Sequence, residues 1–498
     1  MARVLFVYSI DGHRRFDRRP ISTTGIQLGL SYISALLKQH GHATSLVVLE
    51  SKRGAADFAL LERRLREFQP GLVCHTAVAT QYPCIVAAAR YIGGQRPELC
   101  QIVGGVHVSL NPAQALADGF DAVCVGEGEY PTLEFAAQLD RGVRPSGIAN
   151  LWIRSRDGVE KSPPRPFLEP LDVLPLADRA LWDEWLDHSR PPVHTVLLGR
   201  GCPHQCTYCC NHALHKLAGG LYVRFRDPDA IAGEVRTLAA PPDTDQDIYL
   251  EAETLLLDQA WTEAVCDRLA AVNSTRQRPI RFGANIRVTP HSNVEGFFKA
   301  LARANVCWVN IGLESGSERV RREVLRRYYS NLDIRRAVQA ARAHGMRVAL
   351  YNLIGLPGET MTDFLETARM NRLCRPDSPR TSIFFPYPGT ELHRACAARG
   401  LLPARIATDR ERRQAVLDLP DFPRRKIQEC YDYFDLYVAH ANPLVRWLRI
   451  LTARCLGPVG RWIRHIRGYW FVRRRLAALL ARYTATGATG RSLGPEAS

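Results

Sequence analysis

The stretch from residue 199 to residue 210 reads GRGCPHQCTYCC. It places three thiols at C-x3-C-x2-C spacing, those of Cys202, Cys206 and Cys209. Three thiolates on one short loop can bind three irons of a 4Fe–4S cluster, which leaves the fourth iron open to another ligand. Cys210 is a poor fourth ligand because it directly follows Cys209, and His204 inside the loop is cramped. Unrelated buried thiols are the alternative interpretation, since the chain has 14 Cys.

The loop follows the apolar run Thr195–Leu198 and contains Gly201, Pro203 and the aromatic Tyr208. It resembles the signature of the radical S-adenosylmethionine (radical SAM) superfamily. The resemblance implies a 4Fe–4S cluster on the three cysteines and S-adenosylmethionine (SAM) at the open iron. It also implies an electron donor such as a flavodoxin or a ferredoxin.

The composition is that of an ordinary globular protein. The chain has 498 residues, of which 46% are hydrophobic and 23% charged, which is long enough for two domains and an appendage. Its start lacks the pattern of a signal peptide, and no run approaches the ~18 apolar residues of a membrane span. Fourteen Cys in such a chain favour reduced thiols and a cytoplasmic location over a disulfide framework.

Residues 1–145 alternate five apolar runs with amphipathic helical patterns, which predicts a doubly wound, Rossmann-like parallel sheet in an α/β chain. The runs are residues 4–8, 43–48, 71–75, 101–103 and 122–125. Ligands bind at the carboxyl ends of such strands, where glycines let the backbone approach a large flat ligand. Two predicted strand ends carry distinctive residues, which are Gly104, Gly105, His107 and Ser109 after the fourth run and Gly126, Glu127, Gly128 and Glu129 after the fifth.

These strand ends would suit a nucleotide, a flavin or a corrin, but no G-x-G-x-x-G follows the first run, which weighs against a dinucleotide. The pair GGVH and GEGE resembles the cobalamin-binding domain of B12-dependent radical SAM enzymes, over residues 1–190. The resemblance implies that the eight strand-end residues bind cobalamin; a related domain without cobalamin is the alternative. We expect His13 to be a solvated loop residue and not a cobalt ligand, because Phe16 replaces the Gly of a D-x-H-x-x-G pattern.

Residues 146–190 read as a linker with a hairpin at Asp157-Gly158, and residues 191–400 as a partial (β/α)6 barrel. Six apolar runs, each followed by a helical pattern, predict the barrel strands at 195–198, 247–250, 280–283, 307–311, 348–353 and 381–385. Chemistry belongs at the carboxyl ends of barrel strands. The polar residues after these runs include Glu251, Glu253, Arg287, Glu314 and Ser315.

The resemblance implies a SAM site at these strand ends. Carboxylates suit the SAM ammonium group, and arginine suits its carboxylate. The implied SAM-binding residues are Tyr208, Glu253, Arg287, Glu314, Ser315 and Arg327. Glu253 lies in EAET, where relatives usually carry an Asp pair, and a rim ion pair is the alternative for Glu314 and Arg327. GLPGET and YPGTEL are interpreted mainly as turns, with Glu359 and Glu391 as helix caps.

Residues 401–498 are predicted to be helical and to end in a basic tail. Eleven Arg and no Asp or Glu lie between residues 436 and 494, and they supply most of the net charge of +16. Apolar residues such as Trp447 and Trp462 recur at helical intervals, with a predicted break at Gly457-Pro458. This pattern is typical of a helix in a membrane interface. The large apolar share disfavours nucleic acid, and a capping helix on the barrel is the alternative.

The family resemblance as a whole implies a methyltransferase that acts on an unactivated carbon, or a phosphorus, of a small-molecule or lipid-linked substrate. Radical cyclisation or rearrangement in the same architecture and a non-catalytic cobalamin or cluster sensor are the alternatives. Methylthiolation is disfavoured because Cys74, Cys84 and Cys100 are too scattered to form a second trio. The tail would place the protein peripherally at the inner face of the membrane.

Overall fold

Two mainly parallel β-sheets, together with the helices that connect their strands, make up most of the described chain. The structure is a computed structural model that describes residues 1–10, 25–50, 55–155, 157–187, 193–239, 246–253, 255–290, 293–408 and 410–463, with only the backbone at 55, 56 and 454–463. His13, Phe16 and the tail beyond residue 463 lie outside the described residues. The chain divides into two compact units, Met1–Asp432 and Tyr433–Ser498.

The N-terminal sheet has seven strands in the order β2-β1-β3-β4-β5-β6-β7. Its elements are β1 (Arg3–Ile10), α1 (Leu28–Gln39), β2 (Ala43–Glu50), α2 (Ala55–Phe68), β3 (Leu72–Thr76), α3 (Tyr82–Gln95), β4 (Cys100–Gly104), α4 (Val106–Leu110), α5 (Pro112–Ala117), β5 (Ala122–Cys124), α6 (Glu129–Asp140), β6 (Leu151–Ser155) and β7 (Gly158–Lys161). The first five strands are parallel, which confirms the predicted doubly wound sheet. The predicted hairpin adds two antiparallel strands to its edge.

The second sheet has six parallel strands in the order β8-β11-β12-β13-β14-β15. Its elements are β8 (Val193–Leu197), β9 (Gly199–Arg200), α7 (Asn211–Leu214), β10 (Arg224–Phe225), α8 (Pro228–Leu238), β11 (Asp247–Glu251), α9 (Gln259–Ser274), β12 (Arg281–Ile286), α10 (Val294–Arg303), β13 (Val306–Glu314), α11 (Asn331–Ala343), β14 (Arg347–Ile354), α12 (Met361–Cys374), β15 (Ser378–Ile383) and α13 (Glu391–Ala398). The sequential order confirms the partial (β/α)6 barrel, with β8 and β15 at its two edges.

Barrel strands such as β13 alternate completely buried residues with half-buried ones, because one face of the strand packs into the core. Val309, Ile311 and Leu313 of β13 are completely buried, for example. Side-chain caps then fix where the helices begin. Thr360 caps α12 and Thr390 caps α13, so the prediction that Glu359 and Glu391 are the caps is wrong.

Glu359 lies instead inside the turn that follows β14. Its carboxylate accepts hydrogen bonds from the backbone N–H groups of Gly355 at 2.6 Å and Leu356 at 3.0 Å. Burial raises the pKa of this carboxyl to about 8. GLPGET therefore forms a turn, as predicted. Thr360 caps the helix after the turn, and Glu359 stabilises the turn itself.

The C-terminal region is helical, as predicted. The first unit ends with α14 (Arg424–Asp432), and the second begins with α15 (Phe434–Ala439) and α16 (Pro443–Ile463). The predicted break at Gly457-Pro458 is wrong, because α16 continues through it although proline removes one backbone donor. Leu444, Trp447 and Leu448 are 65%, 57% and 48% exposed. Within the described residues, none of the helices combines the length and the apolarity needed to cross a membrane.

Candidate functional site

The cysteine loop is held between the two short strands β9 and β10. These strands pair antiparallel, with Arg200 directly opposite Arg224. Gly201 starts the loop at φ +88°, where a Cβ atom would lie 2.0 Å from the carbonyl oxygen of Tyr222. Only glycine fits so close to another backbone in this conformation. The loop is therefore closed tightly at its base.

The three thiols of the loop lie close together in a largely buried environment. The pKa of Cys202 is raised to about 11, chiefly by burial and in smaller part by the charges of Cys209 and Cys206. A hydrogen bond with Cys210 lowers the pKa of Cys209 to about 7. In addition, Arg287 donates a hydrogen bond from Nη1 to Cys206 Sγ at 2.8 Å.

This donor set fits a 4Fe–4S cluster. Among the described residues, no three His, Cys, Asp or Glu side chains converge on a single metal ion. A cluster does not need such convergence, because each thiolate binds a different iron. Arg287 supplies positive charge beside the thiols, and Asn211 Nδ2 lies 3.7 Å from Cys209 Sγ as a further donor.

Hydrogen bonds of Thr207 tie the loop to distant parts of the barrel. The Thr207 hydroxyl donates to the carbonyl oxygen of Val324 at 2.6 Å, in the segment beyond β13. The backbone N–H of Leu392, in α13, donates to the carbonyl oxygen of Thr207 at 2.8 Å. The loop therefore sits at the same end of the barrel as the polar residues that follow its strands.

Tyr208, Glu314 and Arg327 form one hydrogen-bonded group beside the loop. Arg327 Nη1 donates to Glu314 Oε1 at 2.5 Å and to the Tyr208 hydroxyl at 2.8 Å. The Arg327 side chain is 5% exposed, and its buried Nε has no hydrogen-bond partner among the described residues. A buried unpaired donor is costly, so this group is suited to receive an acceptor from a ligand.

The other predicted SAM-binding residues, Arg287, Glu253 and Ser315, lie in three different surroundings. Arg287 contacts the thiols, and its buried Nε also lacks a partner within the described part of the chain. Glu253 lines a cavity together with Glu251. Ser315 is completely buried, and its hydroxyl lies 3.4 Å from that of Thr367, on α12. Ser315 thus packs into the barrel wall, whereas the others lie near the loop or a cavity.

Glu251 is an acidic residue whose pKa is raised to about 7. Burial is the main cause, and the negative charge of Glu253 adds to it. Both carboxylates lie at the carboxyl end of β11, since Glu251 is its last residue and Glu253 follows two residues later, and both line the same cavity. The two carboxylates can therefore bind a cation or accept a hydrogen bond from a ligand in the cavity.

A first cavity, which we call the sheet-edge cavity, lies at the carboxyl ends of β3, β4 and β5. Its walls include Gly104, Gly105, Gly126, Gly128, Thr132 and the beginning of α1. Gly105 has φ +99°, and a Cβ atom there would lie 2.7 Å from the carbonyl oxygen of Ala77. The strand-end glycines thus form a backbone cradle, which fits a large flat cofactor such as a corrin.

A second cavity, the inter-domain cavity, lies between this sheet edge and the barrel. It is bounded by Val106 and Ser109 on the sheet side and by Tyr222, Glu251 and Glu253 on the barrel side. Both cavities share Gly105, Gly126, Glu127, Leu197 and Arg200. The two spaces therefore meet at the wall formed by these residues.

Ser109 and His107 have different positions on α4. The Ser109 hydroxyl accepts a hydrogen bond from the N–H of Gly126 at 3.0 Å, which links the two glycine-containing loops. The His107 ring packs on the Tyr82 ring at 4.4 Å, and both its ring nitrogens are unpartnered among the described residues. His107 is not among the residues that line either cavity.

Glu127 and Glu129 pair with arginines of the barrel. Arg200 donates to Glu127 at 3.1 Å and to Glu129 at 2.6 Å, and Arg224 donates to Glu127 at 3.1 Å. Neither arginine is among the site residues predicted from the sequence. The only local signal was the position of Arg200 directly before Gly201 in the cysteine loop.

A second attachment joins the sheet to the opposite edge of the barrel. The backbone at Gly389, in the turn after β15, lies against Leu110 at the end of α4. A Cβ atom on Gly389 would be 2.6 Å from the Cβ atom of Leu110. The N-terminal sheet thus contacts the barrel both next to β8 and next to β15.

Comparison with known proteins agrees with this architecture. Residues 196–370 match the model of the Radical SAM superfamily, and residues 16–136 match that of the B12 binding domain. The uncharacterized methyltransferase PH0819 of Pyrococcus horikoshii is 25% identical over 394 residues, which cover 77% of this chain and 81% of that protein. The anaerobic magnesium-protoporphyrin IX monomethyl ester cyclase of Cereibacter sphaeroides is 22% identical over 73% of this chain and 59% of its own length.

Solved structures share the fold. The radical SAM methyltransferase TsrM from Kitasatospora setae, solved with cobalamin and a [4Fe-4S] cluster bound, matches with a TM-score of 0.62 and 20% identity over 81% of this chain and 80% of that one. The cobalamin-dependent SAM radical enzyme OxsB matches with a TM-score of 0.66 and 12% identity over 97% of this chain and 75% of that one. The chain therefore combines a radical SAM domain with a B12-binding domain.

Proposed function

We propose that this enzyme transfers a methyl group to an unactivated carbon of a small-molecule or lipid-like substrate. The observation that carries the proposal is the cysteine loop and the glycine cradle on the two sides of adjoining cavities within one chain. Similarity to the methyltransferases PH0819 and TsrM, and to the cytidylyl-2-hydroxyethylphosphonate methyltransferase of Streptomyces wedmorensis, supports methyl transfer.

Residues of the barrel would bind the cluster and SAM. Cys202, Cys206 and Cys209 would bind the cluster, and Arg287 would stabilise thiolate charge through its bond to Cys206. Arg327, held by Glu314 and Tyr208, would receive the SAM carboxylate at its unpaired Nε. Glu253 would receive the SAM ammonium group. Ser315 would contribute as part of the wall behind them.

The cobalamin site would be built by the strand ends of the N-terminal sheet. The backbones of Gly104, Gly105, Gly126 and Gly128 would contact the corrin, and Ser109 would hold the two loops together. Glu127 and Glu129 would complete the surroundings of this cradle, and His107 would support it from behind through its contact with Tyr82. When bound together, the cluster, SAM and cobalamin supply one-electron chemistry and a transferable methyl group. The protein's role is to position these groups and to exclude water.

The test is to identify what the reconstituted enzyme makes from SAM. Methyl transfer predicts S-adenosylhomocysteine in an amount that depends on added cobalamin, because one SAM supplies the methyl group. Anaerobic incubation with SAM and a reductant, with and without cobalamin, followed by product quantification would measure it. Formation of 5′-deoxyadenosine without S-adenosylhomocysteine or any methylated product would contradict the proposal. A Cys206→Ala variant is the control for chemistry that needs no cluster.

Cyclisation is the second candidate, favoured by the similarity to the magnesium-protoporphyrin ester cyclase over 73% of this chain. The same incubation distinguishes it, since a cyclase without methyl transfer would consume SAM only to 5′-deoxyadenosine and methionine. A flavodoxin or a ferredoxin is proposed as the electron donor for either reaction.

We further propose a cytoplasmic enzyme whose C-terminal helix contacts the inner face of the membrane. Leu444, Trp447 and Leu448 are exposed on α16, with Arg446 and Arg449 directly before and after the pair Trp447-Leu448. Exposed Trp and Leu with Arg favour an anionic lipid surface. The full chain is expected to co-sediment with phosphatidylglycerol vesicles, at least tenfold more than a chain that lacks residues 440–498. Equal binding of both chains, or binding to neutral vesicles alone, would refute the proposal.

A further inference from the structure

The two strands that bracket the cysteine loop place like charges side by side. Arg200 of β9 and Arg224 of β10 are cross-strand partners, and their side chains are 18% and 3% exposed. Like charges directly opposite each other destabilise a strand pair, and burial strengthens the repulsion. The pair of strands β9 and β10 at the base of the loop therefore needs a negatively charged partner from another part of the chain.

That charge comes from the B12-binding domain. Glu127 Oε1 lies 3.1 Å from Arg200 Nη1 and 2.9 Å from Arg224 Nη2, and its Oε2 lies 3.1 Å from Arg224 Nη1. Glu129 accepts a further bond from Arg200 at 2.6 Å. Although burial opposes ionisation, the bond from Arg224 and the charge of Arg200 hold the pKa of Glu127 below its usual range. One carboxylate therefore bridges both arginines as an anion.

Glu127 is itself held in place on the sheet side. Its carboxylate accepts a hydrogen bond from the N–H of Leu168 at 2.9 Å, and its carbonyl oxygen accepts one from Asn150 at 3.0 Å. Arg224 reaches the same segment, because its Nη1 donates to the carbonyl oxygen of Leu168 at 2.8 Å. The base of the loop is thus attached to Glu127, which is itself held in place and lines both cavities.

We propose that Glu127 is a positioning residue, which acts through Arg200 and Arg224 to hold the cysteine loop in the orientation that binds SAM. This role is separate from contact with cobalamin, although both would use the same stretch of chain. It rests on the presence of the cluster and SAM and not on methyl transfer. A failure of the proposed methyl transfer would therefore leave it standing.

The experiment measures SAM affinity at the reconstituted cluster of the full chain. Addition of SAM changes the electron paramagnetic resonance spectrum of the reduced cluster, and a titration gives the Kd. Glu127→Gln is expected to retain the cluster but to weaken SAM binding at least tenfold and to alter the spectrum without SAM. The matched control is Glu134→Gln in the adjoining helix α6, which removes an ion pair of 2.9 Å to Arg165. It should change the Kd less than twofold.

A double-mutant cycle tests whether Glu127 acts through Arg224. Glu127→Gln leaves the two arginines facing each other without a shared counter-charge. The double variant, Glu127→Gln with Arg224→Met, removes the repulsion between them. It can therefore be measured even if the single variant does not fold. The SAM Kd of the double variant is expected to lie within threefold of that of Arg224→Met alone. Additive losses in the cycle, or wild-type SAM affinity in Glu127→Gln or in the double variant, would overturn the proposal.

A cobalamin titration separates positioning from direct contact. If Glu127 only touched cobalamin, Glu127→Gln would weaken cobalamin binding and leave the SAM affinity of cobalamin-free enzyme unchanged, which would also overturn the proposal. Under the positioning role, SAM affinity falls in the cobalamin-free enzyme too.

Discussion

Replacement of Gly201 by Ala is expected to prevent assembly of the cluster and to reduce SAM cleavage at least 100-fold. The new Cβ atom would lie 2.0 Å from the carbonyl oxygen of Tyr222 and 2.8 Å from its carbon. Both are backbone atoms, so no side chain can rotate away, and φ +88° is itself unfavourable for alanine. The base of the loop would have to open, and the thiols of Cys202 and Cys206 would move with it.

The measurement is iron and sulfide content per chain after anaerobic reconstitution, together with 5′-deoxyadenosine formation. Gly219→Ala is the matched control, because Gly219 lies in the same excursion between β9 and β10 and a Cβ atom there would meet no atom within 4 Å. We expect that control to retain its cluster. Full cluster content and normal SAM cleavage in Gly201→Ala would show that the loop base is not as closed as its geometry indicates.

Replacement of Arg327 by Met is expected both to destabilise the fold and to abolish SAM binding. The variant would leave the Glu314 carboxylate, which is 16% exposed, without its partner at 2.5 Å. Removal of one member of a buried ion pair costs about 3–5 kcal/mol. The SAM carboxylate would in addition lose the cation proposed to receive it, so we expect the SAM Kd to rise at least 100-fold.

A second substitution separates these two effects. Glu314→Gln combined with Arg327→Met removes the uncompensated charge, so thermal unfolding should recover by at least half of the loss while SAM binding stays lost. Arg326→Met is the surface control. Arg326 is 42% exposed and pairs with Glu391 at 2.6 Å, so its loss should cost about 1 kcal/mol or less. Recovery of SAM affinity in the double variant would assign Arg327 a purely structural role.

Local sequence predicted the elements and the cysteine loop well, for a physical reason. Most strands of the two sheets carry apolar residues that pack into a core, so they appear in the sequence as short apolar runs. The run at residues 4–8, for example, became β1 (Arg3–Ile10), in which Val4, Leu5 and Phe6 are completely buried. The thiol spacing is likewise a local property of one loop.

Contacts between distant residues could not be predicted in this way. Glu127 is 73 residues from Arg200 and 97 residues from Arg224, and nothing in either stretch marks them as partners. The orientation of Ser315 toward α12 depends on Thr367, which lies 52 residues later. Sequence therefore indicated which loops meet at the site, whereas the pairing of their side chains required the tertiary structure.

The two attachments of the N-terminal sheet lie near opposite edges of the barrel. One joins Glu127 to Arg200 beside the first barrel strand, and the other places Leu110 against Gly389 beyond the last. Two separated contacts resist rotation of the sheet against the barrel better than one contact does. The glycine cradle and the cysteine loop are thus held at a fixed separation by the folded chain itself.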